Sequence, residues 1–223
     1  MPPLALFLDF DGLICDTERA AKRSWEETWA EHGRTFPDEL WQRMAGRSDG
    51  EAIALAALAP ALGRPADEKL RNRRTRRKRE LSEREPLRPG VRELLDAART
   101  RGIPVAVVSS SSADWVDGHL SRLEVRDRFA FVLTGDQVVR HKPAPDLYLA
   151  ALARMGTAAK DALALEDSPV GVRAARAAGV RCVAVPSSGG DAGRLANADA
   201  VVGVPGAYLL EAEWNRPQEV RSR

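Results

Sequence analysis

The chain lacks the features that mark secreted, membrane-spanning and nucleic-acid-coating proteins. It has two cysteines, Cys15 and Cys182, whose separation gives neither a disulfide framework nor a metal-binding pair. No stretch approaches the roughly 20 apolar residues of a membrane helix, and the first apolar run meets Asp9 too early for a signal peptide. The net charge of +2 provides no general attraction to nucleic acid or membranes. We therefore expect a cytoplasmic protein with no nucleic-acid or membrane partner.

The chain does have the composition of an ordinary globular enzyme, with 44% hydrophobic and 30% charged residues. Its length suits one medium domain, or one domain that carries a smaller insertion. Six apolar runs predict strands, and helix-like segments separate most of them. The predicted strands are residues 4–9, 103–108, 129–133, 162–165, 180–185 and 200–204. This alternation predicts βαβ units and a parallel sheet.

The segment of residues 15–87 interrupts the alternation. It contains no convincing strand, and helical patterns run through residues 17–32, 38–44, 49–62 and 66–83. We interpret it as an all-helical insertion after the first strand. A basic run at residues 69–79 indicates a solvated helix face, with a nucleic-acid patch as the alternative that we disfavour.

Polar residues follow the predicted strands at the point where each strand ends. Asp9 and Asp11 follow the first strand, and residues two apart point to the same side of a strand. Two carboxylates this close repel unless a cation or a shared proton lies between them. Gly12 then allows a sharp turn, and Ser109 and Ser110 follow the second strand. Because ligands of parallel sheets bind beyond the carboxyl ends of the strands, these groups predict a binding site.

Two further sets belong to the same predicted edge. Lys142 lies in a proline-framed loop after the third strand, and Glu166 with Asp167 ends the fourth. A serine or an acidic pair at one strand end is commonly a helix cap or a turn. Four such sets in order at one edge indicate a site instead.

The four sets together predict phosphoryl transfer. Asp9 is placed to attack phosphorus and form an aspartyl-phosphate, and Asp11 can protonate the leaving oxygen and then activate water. Mg²⁺ is the expected cofactor, with oxygen ligands available from Asp9, Asp11 and Asp167. Ser109 and Lys142 are expected to hold the remaining phosphoryl oxygens.

These motifs resemble those of the haloacid-dehalogenase superfamily, in its phosphatase and β-phosphoglucomutase-like branch with a small helical cap. The motif D-x-D-G-x-x-x-D stands at residues 9–16, the serine at 109, K-P-x-P-D at 142–146 and an E-D motif at 166–171. The resemblance covers residues 4 to about 210.

The resemblance implies a fold and a division of the chain. The fold would be α/β, a Rossmann-like doubly wound parallel sheet with an inserted all-helical cap domain. Residues 1–14 and 88–212 would form the catalytic core, residues 15–87 the mobile cap, and residues 213–223 a C-terminal tail. The cap would close over the cleft and select a small phosphorylated metabolite as substrate.

The resemblance also implies roles for individual residues. Asp9 would be the nucleophile and Asp11 the acid and base. The metal would be held by the Asp9 and Asp167 side chains and the Asp11 backbone carbonyl, with Glu166 in support. Substrate contacts are expected from Ser110, Arg47 and Gly12.

Several alternatives stay open. β-Phosphoglucomutases carry a histidine near the start of the cap where this chain has Ala21, so a mutase is the second hypothesis. Metal-independent dehalogenases and phosphonoacetaldehyde hydrolases lack the second aspartate, so Asp11 argues against both. A non-catalytic phosphate-binding relative is the least favoured reading. Sugar phosphates, phosphoglycolate-like acids and nucleotide monophosphates all remain candidate substrates, and a monomer is not distinguished from a dimer.

Overall fold

A computed structural model describes residues 3–44, 50–63, 67–188 and 190–211. Its six parallel strands form one sheet in the order β3-β2-β1-β4-β5-β6. The strands are β1 (Ala5–Leu8), β2 (Val105–Val108), β3 (Phe131–Leu133), β4 (Ala162–Glu166), β5 (Arg181–Ala184) and β6 (Ala200–Val201). All six strands were predicted, and most predicted runs overreach because flanking apolar residues such as Ile103, Phe129 and Val185 are buried in the core just beyond the strand ends. The predicted α/β fold class is confirmed.

Eight α-helices lie within the described residues. They are α1 (Thr17–Ala30), α2 (Asp38–Met44), α3 (Gly50–Leu62), α4 (Glu68–Ser82), α5 (Val91–Thr100), α6 (Ala113–Arg122), α7 (Asp146–Met155) and α8 (Pro169–Ala177). The first four lie between β1 and β2 in the chain, and the last four flank the sheet. Within these described ranges, no helix combines the length and the apolar character that crossing a bilayer requires.

The central strand β1 is buried on both faces, and its side chains divide between two cores. Leu6 and Leu8 pack with helices α5 and α6, whereas Ala5 and Phe7 pack with α7 and α8. This division follows from the alternation of side chains along a strand. Helices cover both faces of the sheet, which explains why β1 shows a continuous apolar run instead of an alternating one.

Helices α1–α4 have a hydrophobic core of their own. Trp25 and Trp29, one turn apart on α1, are 1% and 7% exposed and both pack against Phe36. Both rings are therefore packing anchors of this core. The two ends of the helical segment meet where Cys15 pairs with Leu87 in an isolated antiparallel bridge.

The basic run on α4 is partly neutralised by acids of neighbouring helices. Arg73 pairs with Glu31 at 2.5 Å, and Arg77 with Glu27 at 2.6 Å. Most of the other basic side chains of this run are exposed, as expected for a solvated face. Arg74 differs because it is buried and faces inward.

Candidate active site

The site lies where the strand order reverses, at the carboxyl ends of β1, β2 and β4. Asp9 directly follows β1, and its backbone N–H donates to the Leu165 carbonyl oxygen at 3.0 Å. Ser109 directly follows β2, and Glu166 is the last residue of β4. Asp167 follows immediately. A doubly wound sheet opens a crevice at this reversal, so the topology brings these separate segments together.

Lys142 is the buried cation of the site. Its ammonium donates to Asp9 Oδ1 at 2.5 Å, to Glu166 Oε1 at 2.6 Å and to the Val108 carbonyl oxygen at 2.7 Å. Burial disfavours the charged lysine, but the two carboxylates outweigh burial and raise the Lys142 pKa above its ordinary value. All three ammonium protons have protein partners, so Lys142 fixes the orientation of Asp9.

Three carboxylates form a cluster that suits a divalent cation. One oxygen from each of Asp9, Glu166 and Asp167 lies within 4.8 Å of the others. Burial raises the pKa of Asp9, and Glu166 and Asp11 raise it further against the opposing effect of Lys142. Burial and the neighbouring acids likewise raise the pKa of Asp167. Negative charge therefore exceeds what one lysine balances, and a hard cation with oxygen ligands would relieve it.

Glu166 is itself held tightly. The Tyr148 hydroxyl donates to Glu166 Oε1 at 2.5 Å, and the other oxygen, Oε2, is buried without a partner among the described residues. A Cβ atom at Gly171 would lie 1.8 Å from that oxygen. Gly171, in the first turn of α8, therefore leaves the space that the carboxylate needs.

The Asp11 carboxylate accepts three hydrogen bonds. Thr17 Oγ1 and Trp115 Nε1 donate to Oδ1 at 2.6 and 2.9 Å, and Ser111 Oγ donates to Oδ2 at 2.5 Å. These three partners were not predicted from the sequence. Ser111 belongs to the serine run after β2, which could have suggested it, whereas no motif marks Trp115.

The predicted substrate contacts have different positions. Ser109 is buried and Ser110 is exposed, and both line the cavity beside Asp9. Gly12 has φ +79°, and a Cβ there would lie 1.9 Å from Asp167 Oδ2, so only glycine fits this turn. Arg47 lies outside the described residues.

A cavity of about 470 Å³ extends from these groups to the helical segment. Helices α1–α4 line its far end, mainly with charged and aromatic side chains. They include Glu18, Ala21, Trp25, Trp41, Glu51, Arg74 and Lys78.

Two charged groups of this wall were missed by the sequence interpretation. Glu18 is largely shielded from water, and burial, aided by Asp11 and Asp16, raises its pKa to about 7 against the effect of Lys78. Arg74 pairs with Glu51 at 2.8 Å and lies over the Trp25 ring at 4.4 Å. Helical spacing was the only signal for these residues, and spacing does not separate a cavity wall from a core face.

Comparison with known proteins identifies the family. The model of the haloacid dehalogenase-like hydrolase family matches residues 6–185. YhcW of Bacillus subtilis is 38% identical over 184 residues, which are 82% of this chain and 83% of that protein. A phosphorylated carbohydrates phosphatase of Thermotoga maritima is 29% identical over 207 residues, which are 92% and 96% of the two chains.

A solved structure agrees with these sequence matches. CbbY from Rhodobacter sphaeroides, in complex with phosphate, has a TM-score of 0.71 at 28% identity and covers 91% of this chain and 94% of its own. The family match includes the segments that carry Asp9, Ser109, Lys142 and Glu166. With this extent of agreement, the chain belongs to the haloacid dehalogenase-like hydrolase family.

Proposed function

We propose that this protein is a Mg²⁺-dependent phosphatase that hydrolyses a small phosphorylated metabolite through an aspartyl-phosphate on Asp9. One observation carries the proposal. The Asp9 carboxylate lies in a buried cluster with Lys142, Glu166 and Asp167, and a second acid, Asp11, lines the same cavity. A buried, oriented carboxylate beside an independent acid is the arrangement that two-step phosphate hydrolysis requires.

The reaction has two balanced steps. An Asp9 oxygen attacks phosphorus, the bond from phosphorus to the leaving oxygen breaks, and Asp11 gives that oxygen a proton. Water then attacks the phosphorus of the aspartyl-phosphate, Asp11 takes a proton from that water, and the bond from phosphorus to the Asp9 oxygen breaks. Inorganic phosphate leaves, and both carboxyl groups return to their starting states.

The residues present fit the metal. The Asp9 and Asp167 side chains and the Asp11 backbone carbonyl would hold it, with Glu166 in support. When bound, Mg²⁺ would offset the charge of the carboxylate and the phosphoryl oxygens. The excess of buried negative charge around Asp9 supports this assignment.

The remaining groups orient the nucleophile Asp9 and the phosphoryl group of the substrate. The proposed role of Lys142 is to hold Asp9 for attack, which its contact at 2.5 Å supports. Ser109, Ser110 and the Gly12 turn would contact the phosphoryl oxygens, which their places beside the cavity support.

We also propose that residues 15–87 act as a cap over a core formed by residues 1–14 and 88–212. The separate hydrophobic core of helices α1–α4 supports this division.

The substrate class that we favour is a sugar phosphate. A cavity wall of paired charges and tryptophan rings suits a polyhydroxylated leaving group. A relative is named a phosphorylated carbohydrates phosphatase, and CbbY was also solved in complex with xylulose-(1,5)bisphosphate. Ala21 places only a methyl group in the cavity, which does not favour the mutase alternative.

The test is phosphate release from a panel of sugar phosphates, phosphoglycolate and nucleotide monophosphates. Each is assayed with Mg²⁺ and with excess chelator, and thermal unfolding is followed with and without Mg²⁺. We expect release only with the metal and a higher melting temperature in its presence, because a ligand that binds the folded state stabilises it. Release that survives chelation would overturn the metal assignment. Formation of glucose 6-phosphate from β-glucose 1-phosphate, with little free phosphate, would favour a mutase.

A further inference from the structure

Trp115, on the first turn of α6, is one of the three donors to the Asp11 carboxylate and differs from the other two in kind. The hydroxyls of Thr17 and Ser111 can donate or accept a hydrogen bond, so their bonds to Asp11 can reverse. An indole N–H can only donate. The bond from Trp115 Nε1 to Asp11 Oδ1, at 2.9 Å, therefore has a fixed direction.

The ring that carries this donor is held from two sides. The His119 ring meets it edge-on, with centroids 4.4 Å apart and an interplanar angle of 69°. Lys78 Nζ lies 5.1 Å from the centroid of the Trp115 ring. His119 belongs to the same helix as Trp115, whereas Lys78 belongs to α4 of the helical segment. The indole thus donates its N–H to Asp11 at the sheet edge and contacts Lys78 of the cavity wall with its face.

We propose that Trp115 is a positioning residue for leaving-group protonation. Its N–H holds Oδ1 of Asp11 so that the carboxyl group faces the leaving oxygen. The inference rests on the proposed phosphatase function and adds a residue outside the four motifs.

The proposal has a consequence that a merely structural role lacks. The need for a proton depends on the leaving group, because p-nitrophenolate departs readily as an anion and the more basic phenolate does not. If Asp11 is misplaced, kcat/KM therefore falls more for phenyl phosphate than for p-nitrophenyl phosphate. The two esters differ only in the nitro group, so their binding in the cavity is closely matched.

The experiment compares kcat/KM for the two esters in W115F, W115H and W29F. W115F removes the N–H and keeps an aromatic ring, and W115H keeps a ring N–H. W29F is the matched control, because the buried Trp29 Nε1 has no partner among the described residues. We expect the ratio of phenyl to p-nitrophenyl phosphate to fall about tenfold in W115F. In W115H it should stay within about threefold of the parent, and in W29F it should not change.

Each ratio comes from one preparation, so a fraction of unfolded protein cancels from it. An unchanged ratio in W115F, or an equal fall in W115F and W115H, would overturn the proposal while leaving the phosphatase assignment intact. A parent protein that releases phosphate with Mg²⁺ neither from these esters nor from any metabolite of the panel would instead overturn the proposed function on which the inference rests.

Discussion

The two ends of the cavity are built in different ways. At the sheet end, Asp9, Ser109 and Glu166 lie at the carboxyl ends of adjacent strands, and backbone pairing fixes their separation. At the helical end, Glu18 projects from the first turn of α1 and Arg74 from the middle of α4. The positions of the groups at the sheet end are therefore fixed by the topology of the sheet. The groups at the helical end depend instead on which side chains a helix face carries. Under the proposed function, the first end carries out the chemistry and the second selects the substrate.

The sharpest test of the sheet end is Asp9→Asn. We expect kcat/KM to fall by more than about 10³-fold, because the amide cannot attack phosphorus. The fold should persist, since the change removes a buried charge whose pKa is already raised by burial. Phosphate release and thermal unfolding measure the two effects. Asp127→Asn, at an exposed acid, is the control and should change neither. Substantial turnover by the Asp9 variant would contradict the assignment of Asp9 as the nucleophile. It would also contradict the assignment of the chemistry to the sheet end.

The helical end is tested by Lys78→Met. Lys78 lines the cavity, and methionine keeps an unbranched side chain one atom shorter that donates no hydrogen bond. We expect kcat/KM to fall about tenfold for the best metabolite and less than about threefold for p-nitrophenyl phosphate. Lys69→Met, at an exposed position of the same helix, is the matched control. Equal losses for both substrates would show that the helical end contributes to chemistry, which contradicts the comparison.

Packing at the sheet end is tested with two helical glycines. A Cβ at Gly171 would meet Glu166, whereas a Cβ at Gly118 has nothing within 4 Å. Gly171→Ala should lower the free energy of unfolding by about 1–3 kcal/mol through overpacking. Gly118→Ala should raise it by up to about 1 kcal/mol, because alanine favours the helix. Urea denaturation measures both. A neutral Gly171→Ala would mean that Glu166 is free to move, so that topology alone does not fix this end.

The charge of the helical end is tested through pH. The Glu18 pKa of about 7 in the folded protein lies above its ordinary value of 4.5. Between these values the folded protein binds a proton that the unfolded chain has released, so Glu18 makes stability fall as pH rises through this window. Glu18→Gln should reduce that fall by on the order of 1 kcal/mol in urea denaturation at about pH 5 and about pH 8. Glu39→Gln, at an exposed acid, should leave the fall unchanged. An identical fall in the Glu18 variant would show that this carboxylate is well solvated.

The fold was predictable because strand patterns and turn residues repeat in order along the chain. The run before Asp9 indicated a strand buried on both faces, and its place beside β2 and β4 follows from the doubly wound topology. The carboxylate cluster was predictable for the same reason. The bounds of β6 were not, because its apolar run continues into a loop after Val201.

The hydrogen-bond partners of the site residues were less predictable. The contact between Trp115 and Asp11 joins residues 104 positions apart, and nothing in the local sequence marks it. The partners of Lys142 depend on where a loop places an ammonium, so the sequence suggested a phosphate contact where the structure has three protein acceptors. The side chains of the helical wall, such as Glu18 and Arg74, were not predicted individually, since a helix face that lines a cavity has the same period as one that lines a core.

The bridge between Cys15 and Leu87 has an evolutionary consequence. Because the helical segment leaves and rejoins the sheet at one point and carries its own apolar core, it is connected to the rest of the molecule as a module. Changes within it alter the helical wall of the cavity with little effect on the sheet. Selection can therefore diversify the leaving-group end across a lineage while the aspartates at the sheet edge stay as they are.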